Sequence, residues 1–262
     1  MWLLTLFARR WWWTTLLVIA ACAVLVRLGV WQLDRLEQRQ AFNERVQAQL
    51  ESSMLQLDAS NLDLDLHAME YRTVEISGTY DFGGEVGLRN QVWRNQPGIH
   101  LVTPLRIEGS DVAVLVDRGW IPAEDTEPGQ WRSYAEPGPV IVRGVLRRST
   151  TSPEIGFRTD PTPAAGEPPR KLWHLLNVEL IGSDVSYEVL PVYVQKASDP
   201  AITAPPYPSE PDLDLTEGPH LGYAGQWFMF ALVLALGYPF YVRKSVAEAE
   251  AVARMNGALN RV

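Results

Sequence analysis

Leu221 to Val242 is an unbroken run of 22 residues without a formal charge. At about 1.5 Å per residue, a helix of that length covers the ~30 Å hydrocarbon core of a bilayer. The run therefore predicts a transmembrane helix over 220–242, with His220 at its entrance and Arg243 and Lys244 at its exit. A second apolar stretch, Trp11 to Val26, follows Arg9 and Arg10, the charged-then-apolar layout shared by signal peptides and membrane anchors. Ile19-Ala20-Ala21-Cys22 has the form of a bacterial lipoprotein cleavage box, in which Cys22 would become the lipidated first residue. The apolar character continues through Val30, Trp31 and Leu33, whereas a cleaved segment ends after about 7 to 15 apolar residues. An uncleaved helix over 11–33 is the better reading, and cleavage is the alternative.

Sidedness follows from the second span. Arg243 and Lys244 stand directly after it, and no Lys or Arg lies between Lys196 and His220. By the positive-inside rule the 243–262 tail is expected in the cytoplasm, the 1–10 segment with it, and everything between the spans outside. No Arg-rich, Ser-rich leader precedes the first span, so a bacterial plasma membrane fits best. Of the 23 basic residues seven lie before Asp34 or after Pro219, leaving 16 between; of the 31 acidic ones only Glu248 and Glu250 lie outside, leaving 29. A middle region at −13 is a poor partner for nucleic acid, which needs clustered Lys and Arg. The single cysteine, Cys22, rules out an intramolecular disulfide and a cysteine metal cage within one chain.

Leu36, Phe42, Val46 and Leu50 recur at near-helical spacing and predict a helical extension of the first span over 34–52. A β-rich domain is expected over 53–197. Its strands are read at Tyr71 to Tyr80, Glu85 to Trp93, Ile99 to Ile107, Val112 to Asp117, Val140 to Leu146 and Val189 to Lys196, with a short helix near Leu175 to Ile181. Glu108-Gly109-Ser110-Asp111 reads as a hairpin turn, and short consecutive strands argue for an antiparallel sheet or small barrel. Thr159 to Pro169 and Ser198 to Asp214 are Pro-rich loops, the second part of a linker over 198–219. The expected fold class is an α+β membrane protein: N- and C-terminal transmembrane helices flank an extracytoplasmic, mainly antiparallel β domain.

His220 is the sharpest candidate for chemistry. A neutral imidazole at a bilayer surface can supply one axial bond to a haem iron, and Tyr223 and Trp227 follow at i+3 and i+7 on the same helical face. The alternative makes His220 an interfacial polar residue and the two aromatics part of an interfacial belt. Arg118-Gly119-Trp120 ends the apolar run VAVLVD; Arg118 there pairs with a propionate or with an acid of the domain, Asp117 being nearest. Trp31-Gln32 with Arg35 reads more easily as an interfacial anchor than as a site. His67, His100 and His174 are dispersed, and no HExxH, CxxCH, G-x-S-x-G or P-loop occurs.

Six blocks taken together resemble the surfeit locus protein one (Shy-one-like) family of cytochrome c oxidase biogenesis factors. They are Gly29-x-Trp31-Gln32-x-x-Arg35; Glu70-Tyr71-Arg72-x-Val74 with Gly78; Val102-Thr103-Pro104; Leu115 to Pro122 around Arg118-Gly119-Trp120; Gly144 to Arg147; and His220-Leu221-x-Tyr223-x-x-x-Trp227. The resemblance implies a two-span membrane protein, not an enzyme, that assists maturation of the haem-copper oxidase. It also implies haem a as a transient cargo contacted at His220, with Tyr223 and Trp227 beside it, and structural roles for Gly29, Trp31, Gln32, Arg35, Tyr71, Arg72, Gly78, Arg118, Gly119 and Trp120. The implied partners are the oxidase catalytic subunit, the haem a synthesis machinery and membrane lipids. Departures from the family pattern are Gly218-Pro219 before the histidine, Gln226 in place of a usual Thr, and Leu172-Trp173 followed by Glu179. A haem-free scaffold holding an immature oxidase subunit is the competing reading, and an envelope enzyme the third.

Overall fold

The computed structural model describes residues 2–152, 160–162, 168–211 and 213–259, so the loop expected over 159–169 lies in large part outside the described residues. The chain forms two compact units, one of residues 1–44 with 215–262 and the other of residues 45–214.

The first unit is a pair of long helices. Helix α1 (Trp12–Glu51) carries its last turns into the second unit, and α3 (His220–Leu259) closes the chain. Both are long and apolar enough to cross a membrane. Their pairing is antiparallel, because partners on α3 climb as those on α1 descend. Gln32 meets His220, Gly29 meets Phe228, Cys22 Sγ reaches the Ala231 carbonyl at 3.7 Å, and the Thr14 and Thr15 hydroxyls meet the Tyr238 hydroxyl at 2.9 and 2.7 Å. Small residues permit this approach: a Cβ on Gly29 would stand 2.5 Å from the Phe228 ring, and Ala224 and Ala231 are buried. The outward faces are also apolar, with Leu17, Ile19, Val24, Leu232, Val233 and Leu236 between 54% and 66% exposed.

The second unit is a closed barrel. Strands β2 (Thr73–Tyr80), β4 (Gln96–Ile107), β5 (Ala113–Pro122), β6 (Pro139–Arg148) and β8 (Val189–Lys196) pair in the ring β2-β6-β8-β5-β4-β2. Every pairing in the ring is antiparallel except β5 with β8. Closure leaves no open edge among these five strands. At the seam Gly78 faces Ile107 of β4 and Val140 of β6, and a Cβ there would lie 2.3 Å from the Arg106 carbonyl oxygen. Alternation sends Val74, Ile76 and Tyr80 of β2 inward to Leu105, Val114, Val116, Val142, Leu146, Val192 and Val194.

Outside the ring, β1 (Leu55–Gln56) runs parallel to β2, β3 (Val86–Trp93) forms a hairpin with β4, and β7 (Leu172–Trp173) runs parallel to β3. A second core of Val86, Val102, Leu115, Trp173, Leu176 and the short helix α2 (Val178–Gly182) covers the outer face of β5. With both faces covered, β5 reads as a continuous apolar run instead of an alternating one.

Strand ends shift by a few residues from the sequence expectation, β1 and β7 are additional to it, and two differences matter most. The β3–β4 hairpin turns at Arg94 and Asn95, whose φ values of 47° and 64° match a two-residue turn of the type that suits strand twist. Strand β5 also does not end at Asp117: the register slips by one residue opposite Leu101 and Val102, so Arg118 is the extra residue of a bulge and the strand continues to Pro122.

Candidate functional site

The end of the helix pair is built from α1 outward. Asn43 Nδ2 donates to the Leu215 carbonyl at 2.6 Å, Arg39 Nε to the Thr216 carbonyl at 3.0 Å, and Gln40 Nε2 to Glu217 Oε1 at 3.0 Å. These bonds lay residues 215–217 along α1. Gly218 then takes φ +68°, a value favourable to glycine, and α3 starts at His220. About two turns further toward the start of α1, Gln32 Oε1 lies 2.9 Å from His220 Nδ1. An amide oxygen only accepts, so Nδ1 carries the proton of that bond. In the neutral ring the remaining nitrogen, Nε2, keeps its lone pair, and it makes no hydrogen bond among the described residues. The imidazole is partly exposed.

A single imidazole nitrogen with an available lone pair, its other nitrogen held by an acceptor, is a donor set that fits one axial position of a haem iron. Among the described residues no three His, Cys, Asp or Glu gather to hold a metal ion. Tyr223 is 46% exposed and its backbone N–H bonds to the Pro219 carbonyl, while Trp227 packs edge-on against Phe230 at 6.2 Å. No hydrogen bond joins either aromatic to His220. Trp31 is exposed with Arg35 over its ring at 5.6 Å, and Arg35 also donates to Gln38 at 3.0 Å, a local arrangement within α1. Gln32, read from sequence as an anchor residue, is the one that reaches His220.

The remaining motif residues serve the second unit. Tyr71, at φ 74°, donates its N–H to the Leu146 carbonyl and carries Arg147 over its ring at 4.7 Å, and Arg72 Nε donates to the Ser53 carbonyl at 3.1 Å. Gly119, at φ +119°, could not accept a Cβ, which would stand 2.3 Å from the Tyr207 carbonyl oxygen. That approach exists because Trp120 and Tyr207 exchange both backbone bonds at 2.9 Å, and Tyr207 stacks on Trp93 at 4.1 Å. The stretch expected as a linker over 198–219 is thus bonded to the second unit at Tyr207, which bridges to Trp120 of β5, and at Ser209, which accepts from Gln195 of β8.

Arg118 follows Val114 and Val116 onto the inner face of β5, where its side chain is fully buried. Nη1 donates to Glu85 Oε1 at 2.9 Å; Nη2 donates to Glu136 Oε1 at 3.0 Å and to the Tyr134 carbonyl. Thr103 Oγ1 donates to Glu85 Oε1 at 2.5 Å, and Lys196 Nζ reaches Glu136 at 3.3 Å. Burial pushes the Glu85 carboxyl above its ordinary range, against the pull of Thr103 and Arg118. Burial acts the same way on Glu136, but there the Arg118 bond and Lys196 outweigh it and hold the carboxyl below its ordinary range. The acid expected to pair with Arg118, Asp117, instead accepts from His100 Nδ1 at 2.9 Å and from the Gly119 N–H at 3.0 Å. Successive residues of a strand point to opposite faces, which separates Asp117 from Arg118. Glu85 carries no local sequence signal for this role, since its partners are 18 and 33 residues away.

A closed five-stranded barrel, inserted in sequence between two long apolar helices that meet through a histidine–glutamine pair, defines a two-helix protein with a barrel insert. The chain belongs to the SURF1 family, whose model matches residues 19–232. It is similar to a SURF1-like protein of Monosiga brevicollis, 25% identical over 230 residues that cover 83% of each chain. A SURF1-like protein of Caenorhabditis briggsae is 23% identical over 236 residues, covering 83% of this chain and 71% of the relative. Human Surfeit locus protein 1 is 24% identical over 220 residues, covering 77% and 68%.

Proposed function

We propose that this protein is a membrane-anchored assembly factor of the haem-copper cytochrome c oxidase, a respiratory-chain chaperone rather than an enzyme. It binds haem a transiently at His220 and hands it to the oxidase catalytic subunit. Both helices span a bacterial plasma membrane, the termini are cytoplasmic and the barrel is extracytoplasmic. The apolar outer faces of the helices and the charge asymmetry around α3 support that placement. Haem a arrives from its synthesis machinery, within the lipid phase that surrounds the helices.

The observation that carries the cargo reading is His220 itself: an imidazole at the end of an apolar helix pair whose Nε2 has no hydrogen-bond partner among the described residues. Haem iron supplies the acceptor for that lone pair. Tyr223 and Trp227 stand on the same helix within two turns and offer apolar area to a macrocycle. A site built on one protein ligand is weak, as delivery requires, because a very tight site does not release its cargo.

The full-length protein should be produced together with haem a synthesis, and its Soret spectrum and haem content compared with those of His220→Ala. The expected result is a haem spectrum in the parent that is lost in the variant. Equal haem in both removes His220 as ligand. A parent without haem favours a haem-free scaffold that holds an immature oxidase subunit.

A further inference from the structure

We infer that Gln32 is a positioning residue for His220: its amide oxygen holds the imidazole in the Nδ1-protonated tautomer, so that Nε2 is the nitrogen presented for coordination. The role of Nε2 rests on the reading of His220 as a haem ligand; the tautomer does not.

The two residues lie 188 positions apart and on different helices, yet Nδ1 and Oε1 are 2.9 Å from each other. A free neutral imidazole exchanges its proton between the two nitrogens, and which one is protonated is set by the hydrogen bond the other groups offer. Here an acceptor faces Nδ1 and none faces Nε2 among the described residues. The same bond fixes the ring's rotation, because both partners sit on helices held at close range. Gly29, one turn before Gln32, admits the Phe228 ring, and Tyr238 ties the far end to Thr14 and Thr15. Residues 215–217, bonded along the same helix by Arg39, Gln40 and Asn43, set where α3 begins. Acceptors of this kind on a ligating histidine raise its basicity, and their loss weakens metal binding by about 10–100-fold.

The test needs no working oxidase. Full-length protein in lipid bicelles, labelled with ¹⁵N in its histidine rings, is measured at about pH 8, above the ordinary imidazole range. The His220 signals are assigned by their disappearance in His220→Ala. The expected spectrum shows a protonated Nδ1 and a bare Nε2 in the parent, and exchange-averaged nitrogens in Gln32→Leu. A parent with a protonated Nε2 overturns the inference whether or not haem binds.

Haem titration of the same proteins gives the second arm. Gln32→Leu should bind about 10–100-fold more weakly than the parent, and Gln32→Glu, which keeps an acceptor at that place, should restore binding. Equal affinity in Gln32→Leu and the parent overturns the positioning role while leaving His220 as ligand. Equal losses in Gln32→Leu and Gln32→Glu also overturn it, since packing alone then accounts for the effect. A parent that takes up no haem but shows the Nδ1-protonated ring removes the cargo reading and leaves the tautomer assignment standing.

Discussion

Arg118 Nη1 donates to Glu85 Oε1 at 2.9 Å inside the second unit, with the arginine side chain wholly buried and the glutamate side chain 4% exposed. The Arg-Gly-Trp motif therefore builds the barrel domain from within. Truncating one member strands the other, so Arg118→Leu should lower stability by about 3–5 kcal/mol. The loss should shrink in acid, where the Glu85 carboxyl, already raised by burial, takes up a proton. Arg118→Leu combined with Glu85→Gln should cost less than the two single changes added together. Denaturant unfolding of the full chain, followed by tryptophan fluorescence, measures all three; a loss under about 1 kcal/mol for Arg118→Leu contradicts the pairing.

His100 and Asp117 form a second buried pair, at 2.9 Å. Burial works against the imidazolium, but the Asp117 charge and hydrogen bond outweigh it and raise the His100 pKa above its reference of 6.5. The folded state then binds more protons than the unfolded chain in this window, so the stabilisation is complete below about pH 6.5 and is lost as pH rises through the folded value. His100→Gln should be destabilised relative to the parent most at pH 6, and the gap should narrow steadily toward alkaline pH. Parallel melting curves across that range check the sign.

Gly119→Ala tests the bulge. The added methyl faces both a backbone at φ +119° and the Tyr207 carbonyl oxygen at 2.3 Å, so neither partner accommodates it without moving. Strain of this kind costs about 1–3 kcal/mol. Because Tyr207 is the displaced neighbour, limited proteolysis should cut residues 198–211 several-fold faster than in the parent. An unchanged cleavage rate with an unchanged melting temperature argues against the close approach.

The antiparallel helix register is testable through the single native cysteine. Cys22 Sγ lies 3.7 Å from the Ala231 carbonyl oxygen, whereas Met229 is 52% exposed. Ala231→Cys should form an intramolecular disulfide with Cys22 under mild oxidation, and Met229→Cys should not. Adding Gly29→Leu to Ala231→Cys should reduce cross-linking, because the leucine would overlap the Phe228 ring. Thiol-reactive mass labels on denatured protein report the cross-linked fraction.

Much of this architecture is legible as periodicity. The 22 uncharged residues from Leu221 require a long apolar helix, and alternation in Thr73–Tyr80 places Val74, Ile76 and Tyr80 on one face before any partner is known. The Val189–Lys196 strand is found at its expected bounds. The end of strand β5 is not legible in this way: a charged residue followed by glycine has the form of a terminus, and only the register slip at Arg118 and the backbone at Gly119 make it a bulge. The turn at Arg94-Asn95 is only half legible: Asn95 suits a positive φ, Arg94 does not, and the cross-strand pairing of Trp93 with Gln96 imposes it there.

By itself, then, the sequence determined two long apolar helices, the strand-rich middle and the histidine at the start of the last helix, since each is written in residues close together along the chain. Tertiary structure alone decided that β2 closes on β4, that Arg118 belongs to Glu85 while Asp117 belongs to His100, and that Gln32 is the residue facing His220. Hydrophobic periodicity says which face of an element is buried. It does not say which of many polar groups, 188 residues distant in the case of Gln32 and His220, will satisfy a given donor there. That choice is made by helix register and barrel closure, and it turns a lone histidine into a nitrogen with a defined direction.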